Sequence, residues 1–263
     1  MVSAVLLAGL ALQLAQNPSP MTDATRAHER ITQKAAVGHR KGRILIVGQP
    51  GPASPVIIHF HGDSWVPEQS IAAVYSNATI LAIQVGSGSE VYSDAVKSPE
   101  SFKALLAEAG AATGNRPVIL TSYSAGYGAI RSILRHSYDR IGTVLLMDGL
   151  HTEYLNREVD PAALDVFLKF AKDAIAGRKR MLITHSEIYP GTFASTTETS
   201  DWLLRQLKLR RLPVLHWGPV GMQQLSDARR GRLAVMGFAG NSAPDHVDHF
   251  HGMATWLRAI RKM

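Results

Sequence analysis

The chain has no cysteine among its 263 residues. That excludes a disulfide framework, a thiolate metal centre and a cysteine nucleophile. Aromatic residues are sparse at 7%. None interleaves the basic clusters HRKGR (39–43), GRKR (177–180), LRR (209–211), ARRGR (228–232) and RAIRK (258–262), which carry most of the +7 net charge. With no recognition motif beside them, these clusters read as solvated surface rather than a nucleic-acid interface. The N-terminal apolar run, Val2 to Leu14, falls short of the ~20 residues that a spanning helix needs. It is followed by the polar, Pro-rich QNPSP. Residues 1–16 therefore read as a signal peptide with cleavage near Ala15, although no Lys or Arg precedes the run. That predicts a secreted or periplasmic protein without stable membrane insertion. The alternative is a short structural helix and a cytoplasmic protein.

Hydrophobic residues make up 46% of the chain, enough for one domain, 17–263, with a sizeable core. No internal repeat or interdomain linker interrupts it. Strand patterns fall at 42–48, 55–60, 78–85, 116–122, 141–148, 179–185, 213–217 and 232–238. Helical patterns fall at 66–76, 98–113, 125–137, 161–177, 196–210 and 246–262. Alternation of this kind predicts an α/β fold: a mostly parallel sheet with helices on both faces, a three-layer sandwich. The first two strands have no helix between them, which predicts an antiparallel edge. Loops 149–160 and 186–195 follow strand C-termini, where sites form in open α/β sheets.

The sharpest motif is ILTSYSAGYGAI. Strand, Ser122-Tyr123-Ser124-Ala125-Gly126 and helix follow in order. A sharp turn there would lift the Ser124 hydroxyl above the sheet edge, and the residues two before and two after must be small. The stretch resembles the G-x-S-x-G nucleophile elbow of the α/β-hydrolase superfamily, with Ser122 in place of the first glycine. The resemblance spans about residue 42 to the C-terminus and implies an α/β-hydrolase-like sandwich that needs no cofactor. It also implies an oxyanion hole from the Ala125 amide and an amide in the loop after an earlier strand. HFHGD (59–63) lies in the matching place and offers the amide of Asp63.

The same stretch admits a second reading. His59, His61 and Asp63 form an HxHxD pattern of the kind that binds zinc, with further ligands available in DHVDHFH. Against this, the sixth position is Ser64 rather than His, and a zinc hydrolase would leave the serine elbow unexplained.

The superfamily's chain order is Ser, acid, His. The resemblance therefore implies a base just before the last helix: His246 first, His249 as the alternative, then His251, with His216 an outside candidate. Two acids compete. Asp148 ends the strand after the nucleophile helix, and Glu187 follows the next strand. Asp148 is preferred for its short side chain and the following Gly149. The expected protein is a serine hydrolase of the carboxylesterase or lipase type. It would cleave an ester, or an amide, in a small molecule or at a polymer end through an acyl-enzyme. The other readings are the zinc hydrolase and an inactive hydrolase-fold binding protein. Tyr123, Tyr127, Tyr154, Tyr189 and Phe193 are candidate pocket walls.

Overall fold

The computed structural model describes residues 30–110 and 116–263. The expected signal segment, 1–16, and the end of the helix expected over 98–113 lie outside the described residues. Among those described, no helix is long and apolar enough to cross a membrane.

The elements in chain order are β1 (His39–Lys41), β2 (Ile44–Val47), β3 (Val56–Phe60), α1 (Trp65–Ala72), β4 (Ala78–Ile83), α2 (Ser89–Ala95) and α3 (Pro99–Glu108). Then follow β5 (Val118–Tyr123), α4 (Tyr127–His136), β6 (Ile141–Met147), β7 (Tyr154–Leu155), β8 (Glu158–Val159), α5 (Pro161–Ile175), β9 (Arg180–His185) and α6 (Thr196–Gln206). The chain continues through β10 (Leu212–Trp217), β11 (Gln223–Arg230), β12 (Leu233–Phe238), α7 (Ala243–His251) and α8 (Met253–Arg261).

One 10-stranded sheet runs in the order β1-β2-β4-β3-β5-β6-β9-β12-β11-β10. Its centre, from β4 to β12, is parallel. Both margins are antiparallel. The antiparallel edge expected from the two opening strands is present with a different partner: β2 pairs with β4 and β1, not with β3. Alternate strand residues face opposite sides, so each strand feeds two cores. Ile58, Leu120, Leu146 and Ile183 pack with Tyr92, Phe102, Ile130, Phe167 and Leu203 from the α2–α6 side. Ile57, Ile119, Leu145 and Leu182 pack with Val66, Ile71, Trp256 and Leu257 from α1 and α8. The result is the three-layer, α/β-hydrolase-like sandwich.

Local chemistry sets the helix ends. Ser98 and Ser195 each close a capping box, the latter with Glu198. The helix expected over 246–262 begins earlier, at Ala243, because Ser242 and Asp245 form a capping box with Pro244 in the first turn. It also breaks at Gly252 into α7 and α8. A Cβ at Gly252 would meet the Trp256 ring nitrogen at 2.9 Å and Pro219 at 3.0 Å.

Candidate active site

β5, near the middle of the sheet, ends in the elbow. Tyr123 is its last residue, and Ser124 turns the chain into a short 3-10 segment leading to α4. Ser124 has φ 46°, a left-handed conformation uncommon for a residue with a side chain. Two glycines make room for it. A Cβ on Gly126 would lie 2.1 Å from the Phe60 carbonyl oxygen. A Cβ on Gly149 would lie 2.2 Å from the Ser124 carbonyl oxygen and 2.7 Å from its nitrogen. Gly149 thus matters for close approach to the elbow. Ser122, where the motif has its first glycine, is fully buried, and among the described residues its hydroxyl has no hydrogen-bond partner.

Asp148 follows β6 directly, also in the left-handed region at φ 43°. Its amide donates to the Thr184 carbonyl at 2.9 Å. One carboxylate oxygen accepts from the Ser186 amide at 2.8 Å and the Thr196 hydroxyl at 2.7 Å. The other lies 2.7 Å from Nδ1 of His246. Burial alone would raise this carboxyl; the His249 and His246 rings and the Ser186 amide overcome that and hold it well below its ordinary range. An ionised carboxylate only accepts, so His246 carries its proton on Nδ1 and presents a lone pair at Nε2. The His246 ring also packs on Tyr123, centroids 4.5 Å apart.

Ser124, Asp148 and His246 line one cavity of about 410 Å³, with Ile188, Pro190 and Phe193 among its walls. A second cavity, of about 280 Å³, also reaches Ser124 and is lined by Ser87, Ser89, Ala125, Thr152 and Glu153.

The other sequence candidates lie elsewhere. Glu187 is exposed, its amide donates to the Gly240 carbonyl, and it borders a separate cavity with His185 and Arg211. His249 is buried, with Nδ1 on the Thr184 hydroxyl at 2.8 Å, one turn past the residue that meets Asp148. His251 sits edge-on to Trp65, and His216 is exposed on β10 near the sheet margin. Of the aromatic candidates, Tyr127 and Phe193 line the cavities. Tyr123 lies beneath His246. Tyr154 bonds Glu198, and Tyr189 is exposed.

The histidines of HFHGD are engaged within the fold. His59 bonds the Thr121 hydroxyl through Nδ1 at 2.8 Å and the His61 carbonyl through Nε2 at 2.7 Å. Burial drives its pKa down to about 3. His61, with φ 73°, bonds the Tyr92 hydroxyl at 2.9 Å and stacks on Tyr123. With both His59 nitrogens committed, an HxHxD metal set has lost one ligand. The His-Gly turn thus abuts the elbow through Tyr123 and Phe60. Asp63 itself is exposed, at the entry to α1, and lines neither cavity.

The sequence did not point to Thr196, Ser186 or His151. His151 borders both cavities; its place in a loop beyond a strand C-terminus was the sole signal.

A serine elbow over a mostly parallel, helix-covered sheet, with an aspartate and a later histidine joined beside it, defines an α/β-hydrolase-like fold. No family model matches the chain, and no curated protein matches it. Solved structures do resemble it. A thermostable esterase is 12% identical, with 90% of this chain and 61% of that one covered and a TM-score of 0.44. The chain thus spans about three fifths of that esterase. A carboxylesterase from Bacillus subtilis is 9% identical, with 92% and 95% covered and a TM-score of 0.46. A monoacylglycerol lipase from Paleococcus ferrophilus is 12% identical, with 82% and 98% covered and a TM-score of 0.44. At such scores the likeness bears on neither substrate nor residue roles.

Proposed function

We propose that the protein is a serine hydrolase of the carboxylesterase or lipase type, with Ser124, His246 and Asp148 as its triad. The observation that carries this reading is the 2.7 Å contact between a buried, ionised Asp148 and His246, in the cavity that also holds the strained Ser124. Separated by 98 positions, these residues have no local reason to meet.

In this mechanism Nε2 of His246 takes the Ser124 proton as Oγ bonds to the substrate carbonyl carbon. The carbonyl oxygen becomes an oxyanion, held by the Ala125 amide; the Asp63 amide serves as second donor only if the His-Gly turn moves toward Ser124, since Asp63 lines neither cavity. The same imidazole then protonates the leaving oxygen or nitrogen, and that bond breaks. Water, deprotonated by His246, cleaves the acyl-enzyme and frees Ser124. Asp148 keeps the proton on Nδ1 and balances the imidazolium. No step calls for a cofactor. Ester substrates fit the modest cavities: small molecules, or single groups at a polymer end.

A fluorophosphonate tests the proposal. Peptide mapping should find the adduct on Ser124, undiminished by a chelator and lost in Ser124→Ala. Esterase turnover should fall by roughly 10⁴-fold or more in that variant. Chelator-sensitive activity without an adduct would return the chain to the zinc reading. Neither adduct nor activity would leave a binding protein on a hydrolase fold.

A further inference from the structure

The two cavities that meet at Ser124 differ in chemistry, and one residue between them is built to read a hydrogen-bond donor. His246 borders only the larger cavity, whose walls include Ile188, Pro190, Phe193 and Ala243. The smaller is bordered by Ser87, Ser89, Tyr127, Thr152 and Glu153. If His246 is the acid that protonates the leaving atom, the leaving group lies on its side, in the more apolar cavity. The acyl group then occupies the smaller, polar one.

His151 borders both. Its Nδ1 lies 2.9 Å from the Ala194 carbonyl oxygen. A carbonyl cannot donate, so Nδ1 bears the hydrogen. Burial lowers the ring's pKa, which keeps it neutral near pH 7. Nε2 therefore offers a lone pair, and among the described residues it has no hydrogen-bond partner. The ring cannot turn freely: Phe193 meets it edge-on at 5.1 Å and Tyr127 at 5.8 Å. A fixed, unpaired acceptor beside a reactive serine is a recognition device, since an apolar group placed against it leaves the lone pair desolvated.

We infer that His151 accepts a hydrogen bond from a hydroxyl on the acyl part of the substrate, so that hydroxyacyl esters are preferred over their deoxy analogues. This rests on the serine-hydrolase reading and goes beyond it in naming the substrate class.

The test compares kcat/KM for p-nitrophenyl 3-hydroxybutyrate, both enantiomers, with p-nitrophenyl butyrate. The protein should favour one hydroxy enantiomer by about 10-fold or more. In His151→Phe the ratio should collapse toward one, the hydroxy ester suffering more. His151→Gln, which can present an acceptor oxygen, should recover part of it. A role confined to propping the loop would slow both esters alike and leave the ratio untouched. Fluorophosphonate labelling of Ser124 is followed in parallel. Labelling without a preference in the unaltered protein, or with the same ratio in both variants, overturns the inference alone. No labelling and no turnover of either ester overturns the hydrolase reading, and the inference with it.

Discussion

At the residue scale, the carboxylates separate two roles that the sequence left nearly equal. Asp148 is buried and triply hydrogen-bonded, whereas Glu187 is exposed on the flank of another cavity. Asp148→Asn should lower kcat by about 10⁴-fold, because an amide no longer enforces the Nδ1 proton. Glu187→Gln should keep kcat within about 3-fold of the unaltered protein, on the usual mildness of exposed substitutions. A large loss in Glu187→Gln, measured on any p-nitrophenyl ester, would reverse the assignment. Asp63 separates backbone from side-chain chemistry. If its amide serves the oxyanion, Asp63→Ala should cost much less than Asp63→Pro, which lacks the N–H and should lose about 10²- to 10³-fold in kcat. Equal, severe losses in both would instead implicate the carboxylate, as a metal site requires. What was legible at this scale followed chain order: a serine in a strand-to-helix turn, an acid at a strand end, a histidine near the start of the closing helices. His151 was not legible, because its tautomer and orientation come from Ala194, Phe193 and Tyr127, contacts that no local pattern announces.

At the element scale, the elbow depends on absent side chains. Gly149→Ala would drive a Cβ into the backbone of Ser124. We expect esterase activity to fall at least 100-fold with a stability loss of about 1–3 kcal/mol, by analogy with overpacked sites. Gly142→Ala, whose Cβ would have only the Val118 oxygen at 3.9 Å, should be close to neutral in both assays. A thermal melt beside a rate assay on the two variants checks the contrast. Several elements escaped the sequence reading because little of them is buried in an apolar period: α2 (Ser89–Ala95) buries Tyr92 alone. β11 buries Gln224, Ser226 and Ala228 on alternate positions, so its inward face carries no apolar period to detect. β1 is wholly exposed and carries no apolar residue; its backbone pairs with β2 and its Arg40 reaches Glu68 at 2.6 Å. β7 and β8 form a minimal hairpin within the loop at 149–160. Asn156 and Arg157 turn it at φ 54° and 69°, the left-handed pair that a tight hairpin requires. By contrast, the central strands carry continuous apolar runs and the capped helices carry Ser and Pro signals, which is why both were readable.

At the scale of the whole molecule, acid sensitivity is built into the buried histidines. Burial lowers His59 to about 3 and His185 to about 4. Their neutral forms contribute stability that is fully present above the unfolded value near 6.5 and is lost as pH falls toward the folded values, because only the unfolded chain then takes up the protons. The slope is about 1.4 kcal/mol per pH unit for each histidine across that window. Asp148 acts in the same direction lower down: its stabilisation is complete above the ordinary carboxylate value near 3.9 and declines only as pH falls toward its depressed folded value. Urea midpoints should therefore drop between pH 7 and pH 5, less steeply in His185→Gln. A flat profile over that range would contradict the burial of these rings as neutral groups.

The position of α7 has a consequence for how the molecule comes into being. During synthesis the elbow, the Asp148 carboxylate and the walls of both cavities leave the ribosome before His246 does. Under the triad reading, a nascent chain can complete its strained turn while nothing is present to accept the Ser124 proton. Hydrolytic competence then arrives only when α7 docks over β6 and β5. On that reading, incomplete chains lack the base that activates the nucleophile, and full activity waits on the last part of the chain to be made.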